Sequence, residues 1–308
     1  MSDGGMGDKF IAPIPHYPSL ITMTKFTTLV STEQLAQHLD DPNWIVFACR
    51  FTLTDQEAGR RAYQHGHIPG ARYAHLDEDL CSPITPTSGR HPLPDPQVLA
   101  EKLGRWGVDD TRQVVVYDDS FGSMAVRLWW LLRWLGHDAV ALLDGGLPRW
   151  MRQKHPVSAD LPQINPTRFI PRPQDAMWAD AAEVEQARQD PDRLVIDARP
   201  EERFKGEREM LDKVAGHIPG SINWTFEENI DFDGTYLPAE ELHETYLALL
   251  HDIPPQQVVH VCGSGVTACH NILAMEIAGL PSGKLYPGSW SEWITDPSRP
   301  IAVGASGE

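Results

Sequence analysis

The sequence has few cysteines, few positive charges and no long hydrophobic run. Its 308 residues include four cysteines, too few for a disulfide framework and typical of reduced thiols in a cytosol. Lys and Arg number 26 against 43 Asp and Glu, a formal net charge of −17 without a basic cluster, so nucleic acid is not an expected partner. The most apolar run, "AVRLWWLLRWLG", carries Arg127 and Arg133 and is too short to span a bilayer.

The amino-terminal segment also lacks the features of a targeting peptide. Residues 1–20, "MSDGGMGDKFIAPIPHYPSL", have neither a basic start nor an apolar core, and we expect them to form a disordered leader. Hydrophobic residues make up 41% of the chain and charged residues 22%, as in ordinary globular proteins. These observations predict a cytoplasmic protein without a membrane segment.

Three sequence landmarks occur twice, in the same order. The pairs are "GHIPGA" (66–71) and "GHIPGS" (216–221), "VVVYDDS" (114–120) and "VVHVCGS" (258–264), and "LDGGLPRW" (143–150) and "YPGSWSEW" (286–293). Landmarks that recur in register indicate an internal repeat. The sequence therefore predicts two copies of one structural module.

Each copy alternates strand and helix signals. A short apolar strand leads to the His-Ile-Pro-Gly turn, and helices, a β-branched strand, a loop and an amphipathic helix follow, the last ended by Gly136 or Gly279. Such alternation predicts an α/β fold in which each parallel sheet is flanked by helices. We predict a first domain at 24–152, an extended proline-rich linker at 153–177 and a second domain at 178–303.

The stretch "CGSGVTACHNIL" places Cys262 directly after a β-branched strand and before a helix expected to start near Ala268. Ligands of open α/β sheets bind at this carboxyl end of a strand. Gly263 and Gly265 allow the loop to turn its N–H groups inward, and the helix adds the positive end of its dipole. These features favour a thiolate, a persulfide or a small oxyanion at Cys262.

Other roles for Cys262 fit the residues less well. A buried packing role suits Cys49, which is predicted inside a strand, and Cys269, which is predicted in the first helical turn. A phosphatase loop of the Cys-x5-Arg type would need an arginine where Ala268 stands. No C-x2-C pair is present, and the neighbouring histidines lack zinc-ligand spacing, so a metal site is not predicted. No role is predicted for Cys81.

The combination of "CGSGVTA", "YPGSWSEW" and two "GHIPG" turns resembles the tandem-domain rhodanese superfamily, and most closely its 3-mercaptopyruvate and thiosulfate sulfurtransferases. The resemblance covers roughly residues 24–300. It implies two rhodanese-like domains, each a parallel sheet flanked by helices, of which only the carboxyl-terminal copy is catalytic. The first copy has Asp118 where the second has Cys262, in agreement with that division.

The resemblance implies a sulfurtransferase without a metal or organic cofactor. The Cys262 thiolate would take sulfur from a small anionic donor, 3-mercaptopyruvate or thiosulfate, and pass it to cyanide, a thiol or a thioredoxin-like dithiol. The tandem architecture also implies a monomer. Backbone donors of the loop would stabilise the persulfide: Gly263, Ser264, Gly265, Val266 and Thr267. A non-catalytic rhodanese-type binding module is the alternative from another class.

The same resemblance assigns a proton relay. Thiosulfate-preferring members carry basic side chains just after the cysteine, whereas this loop has the neutral Gly263 and Ser264 of mercaptopyruvate enzymes. In those enzymes the serine works with a histidine and an aspartate of the first domain, which correspond here to His91 and Asp77. His91 would act as base and Asp77 would orient it.

The donor's anionic end is assigned to arginine. Arg203, in "EERFKGE", corresponds to the family arginine that binds this end of the donor. Mercaptopyruvate enzymes carry a second arginine a few residues later, where this chain has none. Arg208 and Lys213 are the nearest substitutes in the sequence. The residues therefore leave both donors open.

Overall fold

The computed structural model describes Met1 and residues 25–305. The predicted leader apart from Met1, and residue 24, at which the first domain is predicted to begin, lie outside this part of the chain. Within it, the strands form two sheets. Both sheets are short and wholly parallel, as the alternation of strand and helix signals predicts.

The first sheet has the strand order β1-β5-β4-β2-β3 and the second has the order β7-β6-β8-β9. The strands are β1 (Leu29–Val30), β2 (Trp44–Ala48), β3 (Arg72–Tyr73), β4 (Gln113–Tyr117), β5 (Val140–Leu143), β6 (Leu194–Asp197), β7 (Ile222–Asn223), β8 (Val258–Val261) and β9 (Lys284–Leu285). The central strands of both sheets, β2, β4, β6 and β8, are buried along their whole length. The predicted α/β fold with two parallel sheets is therefore confirmed.

Helices cover both faces of these sheets. They are α1 (Thr32–Ala36), α2 (Ala58–His65), α3 (Leu76–Asp79), α4 (Pro96–Arg105), α5 (Ala125–Trp134), α6 (Gly146–Arg152), α7 (Ala181–Ala187), α8 (Glu201–Phe204), α9 (Ala239–Leu250), α10 (Ala268–Ile277) and α11 (Ser289–Trp293). Side chains of a strand alternate between the two faces of its sheet. Ile45 and Phe47 of β2 accordingly lie in one hydrophobic cluster, and Val46 and Ala48 lie in another.

Helices α5 and α10 are buried nearly all round. Every residue of α5 except Arg133 is buried, and in α10 every residue from Ala268 to Met275 is buried. The prediction of amphipathic helices here is wrong, because each helix covers its own sheet and also packs against the other helix between the two sheets. In the described part of the chain, no helix is long and apolar enough to cross a membrane.

The proline-rich segment between the sheets, predicted to be an extended linker, contains no helix and no strand of either sheet from residue 155 to residue 174. It runs along the first sheet's helices, where the N–H of Thr167 donates to the carbonyl of Gly104 and that of Arg172 donates to Leu135. A short 3-10 turn at Asp175–Met177 follows. The N–H of Ala179 then donates to the carbonyl of Leu285 and brings the chain to the second sheet.

The repeated landmarks occupy matching places in the two halves. The ring of His67 stacks on Tyr63, and the ring of His217 stacks on Phe204. In both histidines Nδ1 contacts the carbonyl of the residue on which the ring stacks. Because both copies use the histidine in the same buried way, the "GHIPG" histidines are explained by folding alone.

Candidate active site

Cys262 is the first residue after β8, at the carboxyl end of the strand. Its side chain is buried, with 2% of the residue exposed. The N–H of Gly265 donates to its Sγ at 3.2 Å, and the N–H of Cys262 itself donates to the Oγ of Ser289 at 3.1 Å. Helix α10 begins at Ala268, as predicted, and its amino-terminal end lies at the close of this loop.

The loop around Cys262 requires glycine at Gly265. Its φ is +73°, and a Cβ there would lie 2.3 Å from the carbonyl oxygen of Pro287. Any other residue here would have a strained backbone conformation, and its Cβ would clash with the carbonyl group of Pro287. The close approach lets Gly265 direct its N–H at the sulfur and its carbonyl away from it.

Three side chains meet across the domain interface beside this loop. The Nδ1 of His91 lies 2.7 Å from the Oγ of Ser264, and the Nε2 of His91 lies 3.1 Å from the Oδ1 of Asp77. Asp77 belongs to α3 and His91 to the loop that follows it, whereas Ser264 belongs to the second half of the chain. The structure thus brings together the three residues of the predicted relay.

The protonation of His91 follows from its burial. Only 2% of the residue is exposed, and burial lowers the pKa of the imidazole below its ordinary value, against the opposing effect of Asp77. A neutral ring whose Nε2–H donates to Asp77 has a free lone pair on Nδ1. That lone pair faces the hydroxyl of Ser264, the arrangement of a general base.

A cavity of about 170 Å³ opens over Cys262. Leu53, Leu76, Met124, Pro200, Phe226 and Val266 form its apolar wall, and the polar wall consists of Arg90, His91, Arg199, Arg203, Cys262, Gly263, Ser264 and Thr267. Four of the five predicted persulfide-binding residues therefore line it, and the fifth, Gly265, contacts the sulfur directly. The small volume suits a donor of only a few heavy atoms.

The arginines of this cavity differ from those expected. Arg203 lines the wall as predicted and contacts Glu209 and Asp212. Arg208 and Lys213, both within the described chain, do not line the cavity: Arg208 is exposed, and Lys213 lies in a neighbouring groove. Neither side chain therefore supplies a second cation to this cavity wall, which Arg90 and Arg199 line instead.

Arg199 is fixed from both sides. Its Nε and Nη2 donate to the carboxylate of Asp197 at 2.8–3.1 Å, and its guanidinium lies 4.9 Å from the ring centroid of Trp290. Asp197 closes β6, so the adjacent strand of the second sheet aims this cation at the cavity. In the sequence Arg199 stands two residues after the last residue of β6, and this position at a strand end could have indicated that Arg199 belongs to the site.

Arg127 connects the loop that follows Cys262 with the segment that contains His91. It is fully buried in α5, its Nη1 donates to the carbonyl of Gly265 at 2.9 Å, and its Nη2 donates to the carbonyl of His91 at 3.3 Å. One side chain therefore holds two segments that lie far apart in sequence. An arginine inside an otherwise apolar helix was the available signal, since a buried guanidinium needs acceptors.

In the first half of the chain Asp118 occupies the position that corresponds to Cys262. Its carboxylate accepts hydrogen bonds from the backbone N–H groups of Ser120, Gly122, Met124 and Ala125, each at 2.8 or 2.9 Å. Asp118 is fully buried, so these donors meet the carboxylate without water. The strand–loop–helix unit of this fold therefore forms a cradle for an anion.

Replacing Asp118 with alanine should lower the free energy of unfolding by about 3 kcal/mol, because buried N–H groups would lose their acceptor. The measurement is urea denaturation of the purified protein. Asp119→Ala is the matched control: Asp119 pairs with Arg50 at the surface, where a loss within about 1 kcal/mol is expected. Equal losses in the two variants would contradict a cradle at Asp118.

The remaining cysteines are poor nucleophiles. Burial raises the pKa of Cys49 well above its usual range, and it raises the pKa values of Cys81 and Cys269 to about 12. Cys269 lies in the first turn of α10, as predicted, whereas Cys49 lies just after β2 rather than inside it. Both retain the packing role that the sequence suggested.

Within the described residues, the group with metal-ligand geometry is Glu57, His75 and Glu78, in the first domain. Arg60 forms ion pairs with both glutamates. Both ring nitrogens of His75 also have protein partners, the N–H of Glu78 and the carbonyl of Gln56. This group is therefore a surface ion-pair cluster, and it lies outside the cavity lining.

Comparisons with known proteins agree with this architecture. The family model of the rhodanese-like domain matches residues 31–153 and 180–296. A Pseudomonas aeruginosa protein named "Probable 3-mercaptopyruvate sulfurtransferase" is 48% identical over 90% of this chain and 98% of its own length. The human 3-mercaptopyruvate sulfurtransferase is 38% identical over 90% of this chain and 98% of its own length.

A solved structure of a related protein has the same fold as this chain. The crystal structure of SseA from Escherichia coli, described as a 3-mercaptopyruvate sulfotransferase with the rhodanese fold, matches with a TM-score of 0.76 and 30% identity. The match covers 86% of this chain and all of that one. The family model matches two domains, the two relatives align over almost their whole length, and the solved structure has the same fold. The chain belongs to the rhodanese family, as a tandem-domain member of its sulfurtransferases.

Proposed function

We propose that this sulfurtransferase takes sulfur from 3-mercaptopyruvate and carries it as a persulfide on Cys262. The observation that supports this donor best is the Ser264–His91–Asp77 arrangement beside Cys262, with contacts of 2.7 and 3.1 Å. Mercaptopyruvate brings a thiol proton that has to be removed, and thiosulfate does not. A neutral buried base is therefore needed to remove the proton of mercaptopyruvate, and it is not needed for thiosulfate.

The sulfur-transfer step follows from this geometry. The Cys262 thiolate attacks the donor sulfur, an S–S bond forms, and the C–S bond breaks to leave the enolate of pyruvate. The thiol proton passes through Ser264 to His91 and returns to the enolate carbon, so the products are pyruvate and a Cys262 persulfide anion. The N–H of Gly265, 3.2 Å from Sγ, and the amino-terminal end of α10 favour negative charge at this place.

The second step regenerates the enzyme. Cyanide, a thiol or a thioredoxin-like dithiol attacks the outer sulfur, and the Cys262 thiolate leaves. We propose that the second domain, residues 178–303, performs both steps. The first domain, residues 24–152, supplies Asp77, His91 and a cavity wall, and has no cysteine at Asp118. A monomer is part of the same proposal, since one chain already supplies both halves of the site. A cytoplasmic location is proposed as well, since four cysteines in a chain of 308 residues are typical of reduced thiols.

Thiosulfate is the second candidate donor, and one observation favours it. A Cβ at Gly263 would lie 3.0 Å from Nη2 of Arg90 and 3.5 Å from Nη1 of Arg203. Guanidinium groups therefore stand beside the residue after Cys262, where thiosulfate-preferring members of the family have basic side chains. A dianion would be attracted by this charge.

The test is intact-protein mass spectrometry after mixing with mercaptopyruvate and, in parallel, with thiosulfate. The proposal expects a gain of one sulfur that cyanide removes, with faster loading from mercaptopyruvate. Faster loading from thiosulfate would reverse the donor assignment. No gain from either donor would contradict the persulfide and favour the binding-module alternative.

The pH dependence should differ between the two donors. Burial lowers the pKa of His91 below its ordinary value of about 6.5, so the ring is neutral at pH 7 and becomes protonated only in more acidic solution. With mercaptopyruvate, kcat/KM should fall in acidic solution, at pH values lower than the ordinary imidazole pKa of about 6.5, because protonated His91 can no longer accept a proton. The same acidic fall with thiosulfate would show that another group causes it.

A further inference from the structure

We infer that Arg90, a residue of the first domain, is the second arginine that binds the anionic end of the donor. This inference rests on the proposed function, because it names the group that would hold the carboxylate of mercaptopyruvate. The segment after Arg203 contains no arginine in the cavity wall, and the side chains that contact the wall's arginines from it are the carboxylates of Glu209 and Asp212. Arg90 faces Asp212 from the opposite domain at 2.5 Å.

The first argument is the convergence of two guanidinium groups over Gly263. A Cβ at this glycine would lie 3.0 Å from Nη2 of Arg90, and 3.5 and 3.6 Å from Nη1 and Nη2 of Arg203. Gly263 directly follows Cys262, so both cations stand next to the reacting sulfur. Two guanidinium groups at one place suit a carboxylate, whose two oxygens can accept a hydrogen bond from each.

The second argument is that the arginines of the cavity wall have N–H groups without an acceptor. Asp212 accepts from Nη1 of Arg90 at 2.5 Å and from Nη2 of Arg203 at 2.9 Å, so one carboxylate bridges both arginines. The Nε of Arg90 and the Nη1 of Arg199 are buried and have no hydrogen-bond partner. Arg90 and Arg199 both line the cavity. Each of these two arginines of the cavity wall therefore keeps a donor that is available to a bound anion, although Nη1 of Arg199 also lies 3.9 Å from the carboxylate of Glu209.

The third argument is that the backbone holds Arg90 in position. Its N–H donates to the Oγ of Ser291 at 2.9 Å. A Cβ at the preceding Gly89 would lie 2.5 Å from the carbonyl oxygen of Gly288, so the two loops touch backbone to backbone. The first domain therefore delivers the guanidinium to the second at a fixed place. The neighbouring His91 contacts Ser264 and Asp77 from the same loop, so one loop of the first domain supplies both side chains to the site.

A simple fastening role for Arg90 is the competing explanation. The chain contains another ion pair between its two halves, Arg149 with Asp233 at 3.1 Å, and neither of these residues lines the cavity over Cys262. If Arg90 only joins the domains, its loss should resemble the loss of Arg149. Arg149→Gln is therefore the matched control.

The experiment measures KM and kcat for mercaptopyruvate in Arg90→Gln, Arg149→Gln and the unaltered enzyme. We expect Arg90→Gln to raise KM about 10- to 100-fold with little change in kcat, because a charge-assisted fork to the carboxylate is lost. Arg149→Gln should leave KM unchanged. Dissociation constants for mercaptopyruvate, measured by calorimetry in a Cys262→Ser background that cannot accept sulfur, should rise by the same factor.

A double variant separates donor binding from charge balance. Arg90→Gln leaves the carboxylate of Asp212 with Arg203 as its remaining arginine partner, and the uncompensated negative charge beside the cavity could repel the donor by itself. If Arg90 binds the donor, Arg90→Gln/Asp212→Asn keeps the raised KM; recovery to the unaltered value would overturn the inference. Arg90→Lys, which keeps the charge without the fork, should fold as well and show an intermediate KM.

The outcomes also separate this inference from the proposed function. An unaltered enzyme that takes no sulfur from mercaptopyruvate overturns the proposed donor, and the inference fails with it. An enzyme that uses mercaptopyruvate with the same KM before and after Arg90→Gln keeps the proposed function and overturns the role of Arg90 alone.

Discussion

Replacing Cys262 with serine should abolish sulfur transfer from both mercaptopyruvate and thiosulfate, a loss of about 10³-fold or more in turnover. The step requires a thiolate at the end of β8 that can form and break an S–S bond, and a serine hydroxyl cannot carry sulfane sulfur. The buried sulfur with the N–H of Gly265 directed at it is the place where the chemistry is expected. The measurements are thiocyanate formation from cyanide and intact mass after each donor.

Cys81→Ser is the matched control for this prediction. Burial raises the pKa of the Cys81 thiol to about 12, so few of these side chains ionise near neutral pH. Its loss should leave transfer from both donors intact. A Cys262→Ser protein that still gains a cyanide-labile sulfur would show that another cysteine carries it, and the assignment of the second-domain loop would be wrong.

The site around Cys262 was predictable because its signals are local. A β-branched strand, two glycines and a helix lie within one short stretch, and the same stretch with Asp118 recurs in the first copy. Local patterns of this kind fix where a loop stands on a parallel sheet. The fold class followed for the same reason, since alternation and repetition are visible along the chain.

The partners of Arg90 and Arg127 could not be predicted in this way, because they belong to distant segments of the chain. Arg90 meets Asp212 across the domain interface, and Arg127 meets the carbonyl of Gly265, 138 positions away. His91 and Ser264 are 173 positions apart, and the sequence suggested that pair only through the family resemblance. The burial of α5 and α10 was missed for the same reason: a pattern along one helix does not reveal a second helix on its outer side.

The net charge of the whole chain also fails to describe the charge at the site. A net charge of −17 argues against binding an anion at an arbitrary surface point. The cavity over Cys262 nevertheless has three arginines in its wall, held by Asp197, Glu209 and Asp212. Buried carboxylates fix the direction of each guanidinium, and the donor then meets oriented hydrogen-bond donors rather than a mobile surface charge.

Replacing His91 with asparagine should reduce kcat/KM for mercaptopyruvate by about 100- to 1,000-fold, the range expected for loss of a general base. Asparagine is polar and of similar size, so it can still contact Ser264, but it cannot accept the proton. With thiosulfate the same variant should stay within about threefold of the unaltered enzyme, because that donor has no thiol proton to remove. Ser264→Ala should show the same donor dependence.

The comparison between the two donors makes this prediction decisive for the relay. His91 also accepts a hydrogen bond from Arg127 through its backbone carbonyl, a contact that asparagine keeps. If His91 acted only by supporting the loop, its loss would impair transfer from both donors alike, since both load the same sulfur. His65→Asn, at an exposed histidine of the same domain, should affect neither. A selective loss with mercaptopyruvate at an unchanged KM therefore indicates a step that handles the thiol proton, which is the task proposed for Asp77, His91 and Ser264.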